Sequence, residues 1–203
     1  MLGLRETTEV NELTKKRFST SPLGMLKMEA VESIKIVESV EIEIVEIVEN
    51  APIEGKHTPI EGNNGSWTGE RGNSQWQPDK DYTPKKDNPN NETWGEILDD
   101  AEIDGITFED GDPDFSEVAE ETVEIDGFST ERADNFDKAD KILADKWGMT
   151  PSEVRSWRKD NGYTWHECSD MKTMELVPKI IHSNISHSGG ISQAKLATKA
   201  GAL

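Results

Sequence analysis

Three of the four histidines in this chain of 203 residues lie within a segment of 22 residues, at His166, His182 and His187. Neutral imidazoles are common ligands for divalent metal ions. An imidazole also titrates near neutrality, which suits a general base. These residue types, close together, are compatible with a single-metal site that hydrolyses a phosphodiester bond, a reaction that needs an activated water and a cation at the leaving oxygen.

The histidines alone leave two other interpretations open. Isolated histidines are often structural, so the three need not bind a common metal ion. A zinc ion held for stability, without catalysis, would also find suitable donors here. The four candidate ligands for such a zinc site are His166, Cys168, His182 and His187.

The local sequence predicts a β-β-α unit that positions these side chains. Tyr163–Cys168 is aromatic and β-prone, and Thr173–Pro178 places Met174 and Leu176 on one strand face. A link of four residues between the two segments, Ser169–Lys172, is mostly polar and favours a hairpin. Lys179–Asn184 follows Pro178 and can form a short helix. His166 then lies on the first strand and His182 on the helix.

His187 lies five residues after His182, which does not match one face of a continuous helix. We therefore expect His187 just beyond the helix, where Gly189 and Gly190 allow the chain to bend back towards the site. Two helices are predicted upstream. The first begins at about Glu131 and ends at Gly148, and the second follows a capping box at Thr150.

Four blocks of the segment are similar, in order and at matching intervals, to the WHH group of nucleases. These blocks are Thr164-Trp165-His166-Glu167, Thr173-Met174-Glu175-Leu176-Val177-Pro178, Ile181-His182 and His187-Ser188-Gly189-Gly190. The WHH group belongs to the HNH/endonuclease VII superfamily. The resemblance implies an α+β fold with a ββα-metal (HNH, treble-clef-like) module and a metal-dependent endonuclease activity, with DNA as the expected substrate.

Two blocks upstream, Trp67–Ser74 and Pro113–Ser116, resemble the region that precedes such nucleases in some bacterial polymorphic toxins. The resemblance implies a toxin nuclease at the C-terminus of a larger secreted protein. It further implies delivery into the cytoplasm of a target cell, and a cognate immunity protein that neutralises the toxin in the producer.

The chain departs from the WHH pattern at Glu167, where the group has a second histidine. If that position carries the general base, either Glu167 acts as the base or His166 replaces it. Strand alternation places the two side chains on opposite faces. We expect His166 and Glu167 to be the catalytic residues, with His166 as base or metal ligand, and His182 and His187 to bind one divalent ion: Mg²⁺, Mn²⁺ or Zn²⁺.

Basic residues near this segment are candidate contacts for substrate phosphates, although such residues commonly form only a solvated face. The candidates are Arg158, Lys172 and Lys179. The net charge of −19 argues at first against a nucleic-acid substrate. The acidity is concentrated, however, because Trp67–Phe128 has 4 basic and 19 acidic residues, whereas Ser129–Leu203 has 11 and 10. A nucleic-acid substrate is therefore compatible with the last third of the chain.

The alternative to a nuclease is a protein without enzymatic activity. Such a protein would either bind a structural zinc ion or bind a basic partner through the acidic segment Trp67–Phe128. We expect residues 1–65 to be an acidic, Ile/Val/Glu-rich arm or linker, and residues 66–203 to be the nuclease domain with its core at about 163–190. No apolar run approaches the roughly 20 residues of a membrane-spanning helix. The start of the sequence is charged and lacks an apolar core, so we expect no cleaved signal peptide. A single cysteine excludes a disulfide framework.

Overall fold

The computed structural model describes residues 57–201. Nearly all of the predicted acidic arm therefore lies outside the described residues. Within 57–201 the chain forms two antiparallel sheets and five α-helices. The predicted α+β fold is confirmed. No helix in this range has the length and apolar composition needed to cross a membrane.

The first sheet contains four short strands in the order β1-β2-β3-β4. Its strands are β1 (Gly65–Trp67), β2 (Gln75–Pro78), β3 (Ile106–Glu109) and β4 (Asp112–Asp114). Helix α1 (Trp94–Asp100) lies between β2 and β3 in the chain and begins at a capping box formed by Thr93 and Glu96. Trp94 and Leu98 from α1 pack in the same core as Trp76 from β2. The sequence analysis does not identify the individual strands of this sheet, and it does not predict α1.

The second sheet contains three strands in the order β5-β7-β6, so β7 is its centre. Its strands are β5 (Glu121–Glu124), β6 (Tyr163–Glu167) and β7 (Thr173–Pro178). The four helices in this part of the chain are α2 (Arg132–Trp147), α3 (Pro151–Asp160), α4 (Lys179–Asn184) and α5 (Gly190–Lys199). The predicted hairpin, the short helix after it and the two upstream helices are confirmed.

Strand β7 separates two hydrophobic cores. Met174 and Leu176 pack with Trp165 of β6 and with residues of α2 and α3. Val177 belongs to the other core, with the first sheet and α4. Because successive side chains of a strand point to opposite faces, β7 contributes to both cores at once.

The folded unit extends N-terminal to residue 66, where the sequence predicted its boundary. The Arg71 Nε–H donates to Thr58 Oγ1 (2.9 Å) and to the Pro59 carbonyl (3.0 Å). The backbone N–H of His57 donates to Ser188 Oγ (2.9 Å), close to the C-terminal end of the described chain. Thr58 is buried. These contacts place residues 57–59 in the same folded unit as the histidines.

A buried ion pair joins α2, α3 and β6. Arg158 donates from Nε and Nη2 to the two carboxylate oxygens of Asp140, at 2.7 Å each, and the Trp165 indole N–H donates to Asp140 Oδ1 at 2.8 Å. Asp140 has no exposed surface and Arg158 is 6% exposed. Arg158 is therefore a weak candidate for the predicted phosphate contact, because its guanidinium is buried and bound to a carboxylate of the chain itself.

We expect Asp140→Asn to lower the free energy of unfolding by about 3–5 kcal/mol, the usual range for breaking a buried pair by changing one partner. The variant leaves the Arg158 guanidinium buried without its counter-charge. Urea unfolding of the full chain measures the change. Asp137→Asn is the matched control on the same helix, because Asp137 pairs with Arg155 at the surface (2.6 Å). It should lower the free energy of unfolding by no more than about 1 kcal/mol; equal losses for the two variants would contradict a stabilising role specific to Asp140.

Candidate active site

The three histidines of the C-terminal segment meet in one cluster. His166 Nδ1 lies 3.2 Å from His182 Nε2. The ring centroids are separated by 5.2 Å (His166–His182), 5.0 Å (His166–His187) and 4.7 Å (His182–His187). One ring nitrogen from each residue lies within 4.8 Å of the corresponding nitrogens of the other two. The structure thus brings together three donors that could bind a single divalent ion.

Short connections bring His166 and His182 together. His166 lies on β6, and His182 lies on α4, which starts directly after the neighbouring strand β7. His187 follows α4, outside any helix. Its Nδ1 lies 2.8 Å from the Ile185 carbonyl. A proton on Nδ1 would donate to that oxygen and leave Nε2 as the ligand atom, an arrangement common among metal-binding histidines.

Two glycines after His187 allow the chain to pass close to the end of β6. A Cβ atom at Gly190 would lie 2.4 Å from the carbonyl oxygen of Cys168, and one at Gly189 would lie 2.7 Å from that of Glu167. Both distances are shorter than a carbon–oxygen contact allows, so a larger residue would push this segment outwards. The absence of side chains at these two positions therefore helps to hold His187 against His166, as the sequence had indicated.

A phenylalanine forms the floor of the histidine cluster. The Phe115 ring centroid lies 4.8 Å from His166, 5.5 Å from His182 and 5.3 Å from His187. Phe115 is fully buried and directly follows β4, so it links the first sheet to the histidines. Sequence reasoning missed this residue as part of the site. The one available signal was its place in the Pro113–Ser116 block.

Burial favours the neutral form of all three imidazoles. It lowers the pKa of His166 well below the usual value, and the neighbouring His187, His182 and Arg132 lower it further. Burial, followed by His187 and Arg132, lowers the pKa of His182 to about 3. Burial also lowers the pKa of His187, against the opposing effect of the Ile185 carbonyl. Neutral imidazole is the form that binds metal ions.

Glu167 points away from the histidines, as strand alternation predicts. Its Oε2 accepts from Arg132 Nε (2.9 Å) and its Oε1 accepts from Asn135 Nδ2 (2.8 Å). The Glu167 side chain is only 3% exposed. Both carboxylate oxygens thus have donors on α2, and the structure does not bring Glu167 into the donor cluster formed by His166, His182 and His187.

Arg132 is a candidate functional residue that sequence reasoning missed. It is the first residue of α2, and its side chain is 62% exposed although Glu167 holds its Nε. Its positive charge contributes to the lowered pKa of each of the three histidines. A guanidinium fixed by a buried carboxylate beside a metal-type donor set is well suited to hold an anion.

The two lysines predicted to contact phosphates are paired with carboxylates of the same chain. Lys172 Nζ lies 2.6 Å from Glu124, and Lys179 Nζ lies 2.6 Å from Asp87. Both side chains are about half exposed. A phosphate would have to compete with these carboxylates, which makes the two lysines weaker candidates than Arg132.

A second donor group shares His166. The nitrogen of His166, the Cys168 thiol and a Glu175 oxygen all lie within 4.8 Å of one another. Burial and then the nearby Glu175 raise the pKa of the Cys168 thiol, and burial raises the pKa of the Glu175 carboxyl. His166 therefore stands between two groups of potential ligands.

Residues 105–189 match the family described as the DNase/tRNase domain of colicin-like bacteriocin. The matched range includes Phe115, Arg132 and the three clustered histidines. No curated protein matches the chain. Residues 105–189 are thus similar to a nuclease domain of bacterial toxins, which supports the broad prediction of a nuclease toxin.

Proposed function

We propose that this chain carries a metal-dependent endonuclease domain of the HNH type, of the WHH group, that hydrolyses phosphodiester bonds in DNA. The observation that carries the proposal is the convergence of His166, His182 and His187 on the buried ring of Phe115, within the electrostatic influence of the partly exposed Arg132. The match to a DNase/tRNase family supports the reaction class.

The donor set fits a divalent ion. His166, His182 and His187 would hold it, since their lowered pKa values keep the imidazoles neutral. Imidazole ligands suit Zn²⁺ or another transition-metal ion better than Mg²⁺, which prefers oxygen. When bound, such an ion supplies Lewis-acid stabilisation of charge on oxygen and makes water more acidic.

Arg132 and Glu167 have linked parts in this proposal. The guanidinium of Arg132 would bind a non-bridging oxygen of the scissile phosphate, where negative charge increases during the reaction. Glu167 fixes the Arg132 side chain by accepting from its Nε. Glu167 is less suited to act as the base, because its two oxygens already accept from Arg132 and Asn135. We propose Glu167 as a positioning residue and His166 as a metal ligand.

The same similarity supports a proposal for the biological setting. A colicin-like bacteriocin domain acts as part of a toxin. We propose that this chain is a secreted or delivered effector of the polymorphic-toxin kind, that it reaches the cytoplasm of a target cell, and that a cognate immunity protein protects the producer. Acidic residues outnumber basic ones in residues 66–203. Contacts of this domain with nucleic acid would therefore depend on a few well-placed cations such as Arg132.

We expect His182→Ala to abolish plasmid cleavage while the protein stays folded, because the variant loses a metal ligand that lies at the partly exposed side of the cluster. Cleavage is measured with Mg²⁺, Mn²⁺ or Zn²⁺, with and without a chelator, and metal affinity by calorimetry. His57→Ala is the matched control, because the His57 side chain is exposed and lies outside the cluster.

Wild-type turnover by folded His182→Ala protein would remove the central claim. Loss of folding together with activity would instead favour the structural-zinc alternative, in which the metal supports the fold without catalysis. Cleavage of RNA but not of plasmid DNA would change the proposed substrate and leave the site assignment intact.

We expect Arg132→Ala to lower kcat/KM for plasmid about 10- to 100-fold, which corresponds to the loss of a charged hydrogen bond worth about 1.5–3 kcal/mol. Metal affinity should not weaken, because the guanidinium that is removed is a cation and would repel a metal ion bound by the histidines. Lys141→Ala is the control, because it removes one positive charge from an exposed position on the same helix. It should change kcat/KM less than about threefold, since an exposed charge outside the site is screened by salt.

Glu167→Gln should lower the rate of cleavage less than His166→Ala, which removes a proposed metal ligand and should lower the rate at least about 100-fold. The reason is that Gln can still accept from Arg132, although without charge. Rates at saturating metal decide the comparison. A Glu167→Gln protein as inactive as His166→Ala, with metal affinity intact, would make Glu167 the general base.

A further inference from the structure

The β6–β7 hairpin carries a second set of donors beside the three histidines. His166 on β6 is the direct register partner of Glu175 on β7. Cys168 lies two residues beyond His166, and its backbone N–H donates to the Thr173 carbonyl (3.0 Å), which continues the pairing past the end of β6. Side chains two residues apart, and those directly opposite in an antiparallel pair, share one face of the sheet. The hairpin itself therefore brings the three side chains together.

The carboxylate of this set is buried without a cationic partner in the part of the chain that the structure describes. Glu175 is 8% exposed and His166 is 3% exposed. The Cys168 thiol lies close enough to the Glu175 carboxylate to donate a hydrogen bond to it. On the other face of the same hairpin, the buried Glu167 has Arg132 as its counter-charge, and no described lysine or arginine fills that place for Glu175. A buried carboxylate is unfavourable unless a cation or strong donors compensate it.

We propose that His166, Cys168 and Glu175 form a second metal site, which takes a thiophilic divalent ion such as Zn²⁺. Their donor atoms lie within 4.8 Å of one another, and a metal ion would supply the cation that Glu175 lacks. Nitrogen, sulfur and carboxylate oxygen together are a normal ligand set for zinc. A thiolate ligand selects Zn²⁺ over Mg²⁺ or Mn²⁺.

This site differs from a single zinc site formed by Cys168 and the three histidines. The donor atoms separate into two groups that have only His166 in common: one contains His182 and His187, and the other contains Cys168 and Glu175. Glu175 should therefore contribute to binding at the thiol, whereas His182 and His187 should not.

Titration of the reduced, full-length protein with Co²⁺ tests the proposal. Co²⁺ replaces Zn²⁺ in such sites, and a cobalt–thiolate bond gives a charge-transfer absorption in the near ultraviolet. Cys168 is the only cysteine in the chain, so this absorption reports on it alone. We expect the wild-type protein to show the band and Zn²⁺ to abolish it by displacement.

Three variants assign the other ligands. Glu175→Gln should weaken the Co²⁺ affinity measured at this band by at least about tenfold. The double variant His182→Ala/His187→Ala should keep the band. Glu124→Gln is the matched control on the neighbouring strand, because the Glu124 side chain is 63% exposed and pairs with Lys172; it should leave the affinity unchanged.

Two results would overturn the proposal: a folded wild-type protein that binds Co²⁺ without the charge-transfer band, or a band that is lost in the double histidine variant and unaffected by Glu175→Gln. If Glu175→Gln does not fold, alkylation of Cys168 replaces that comparison. Protection by Zn²⁺ in both the wild type and the double variant supports the second site, and protection in the wild type alone contradicts it. None of these readouts depends on cleavage, so a failure of the proposed nuclease function would not affect them.

Discussion

The alternation of side chains along the β6–β7 hairpin is the constraint on which the rest of this structure depends. One face of the hairpin carries Trp165, Met174 and Leu176 into the core formed with α2 and α3. The other face carries His166 and Glu175, together with Val177 of the second core. A shift of register by one residue would exchange the two faces completely. The same hydrophobic contacts that fix the sheet therefore fix which side chains face the histidine cluster.

The cluster lies where the two halves of the described chain meet, and each half contributes something different. The C-terminal half supplies the donors from β6, α4 and the segment after α4. The first sheet supplies Phe115, a rigid apolar floor that excludes water from one side of the imidazoles. The beginning of α2 supplies a positive charge through Arg132. Donors, low polarity and charge thus come from separate parts of the chain, which is typical of a preorganised site.

Sequence predicted the parts of this arrangement whose cause is local. Helix α2 ends at a glycine, and helix α3 begins at a capping box. The hairpin has alternating side chains on both sides of a mostly polar turn. In each case the signal comes from residues that are neighbours in the sequence. Strand β5, Phe115 and Arg132 depend on partners more than 30 residues away, and no short pattern marks them. The pairing of Arg158 is equally hard to predict, because no neighbouring residue in the sequence indicates that its guanidinium will be buried and will bind Asp140 on the preceding helix.

The closeness of the three histidines in sequence has a consequence for how a bound ion would act on folding. All three belong to one segment of 22 residues, so even the unfolded chain keeps them joined by short loops with a small entropic cost of closure. Metal binding to the unfolded chain reduces the stabilisation that binding to the folded protein would otherwise give. An ion at this site would therefore stabilise the fold less than its affinity suggests.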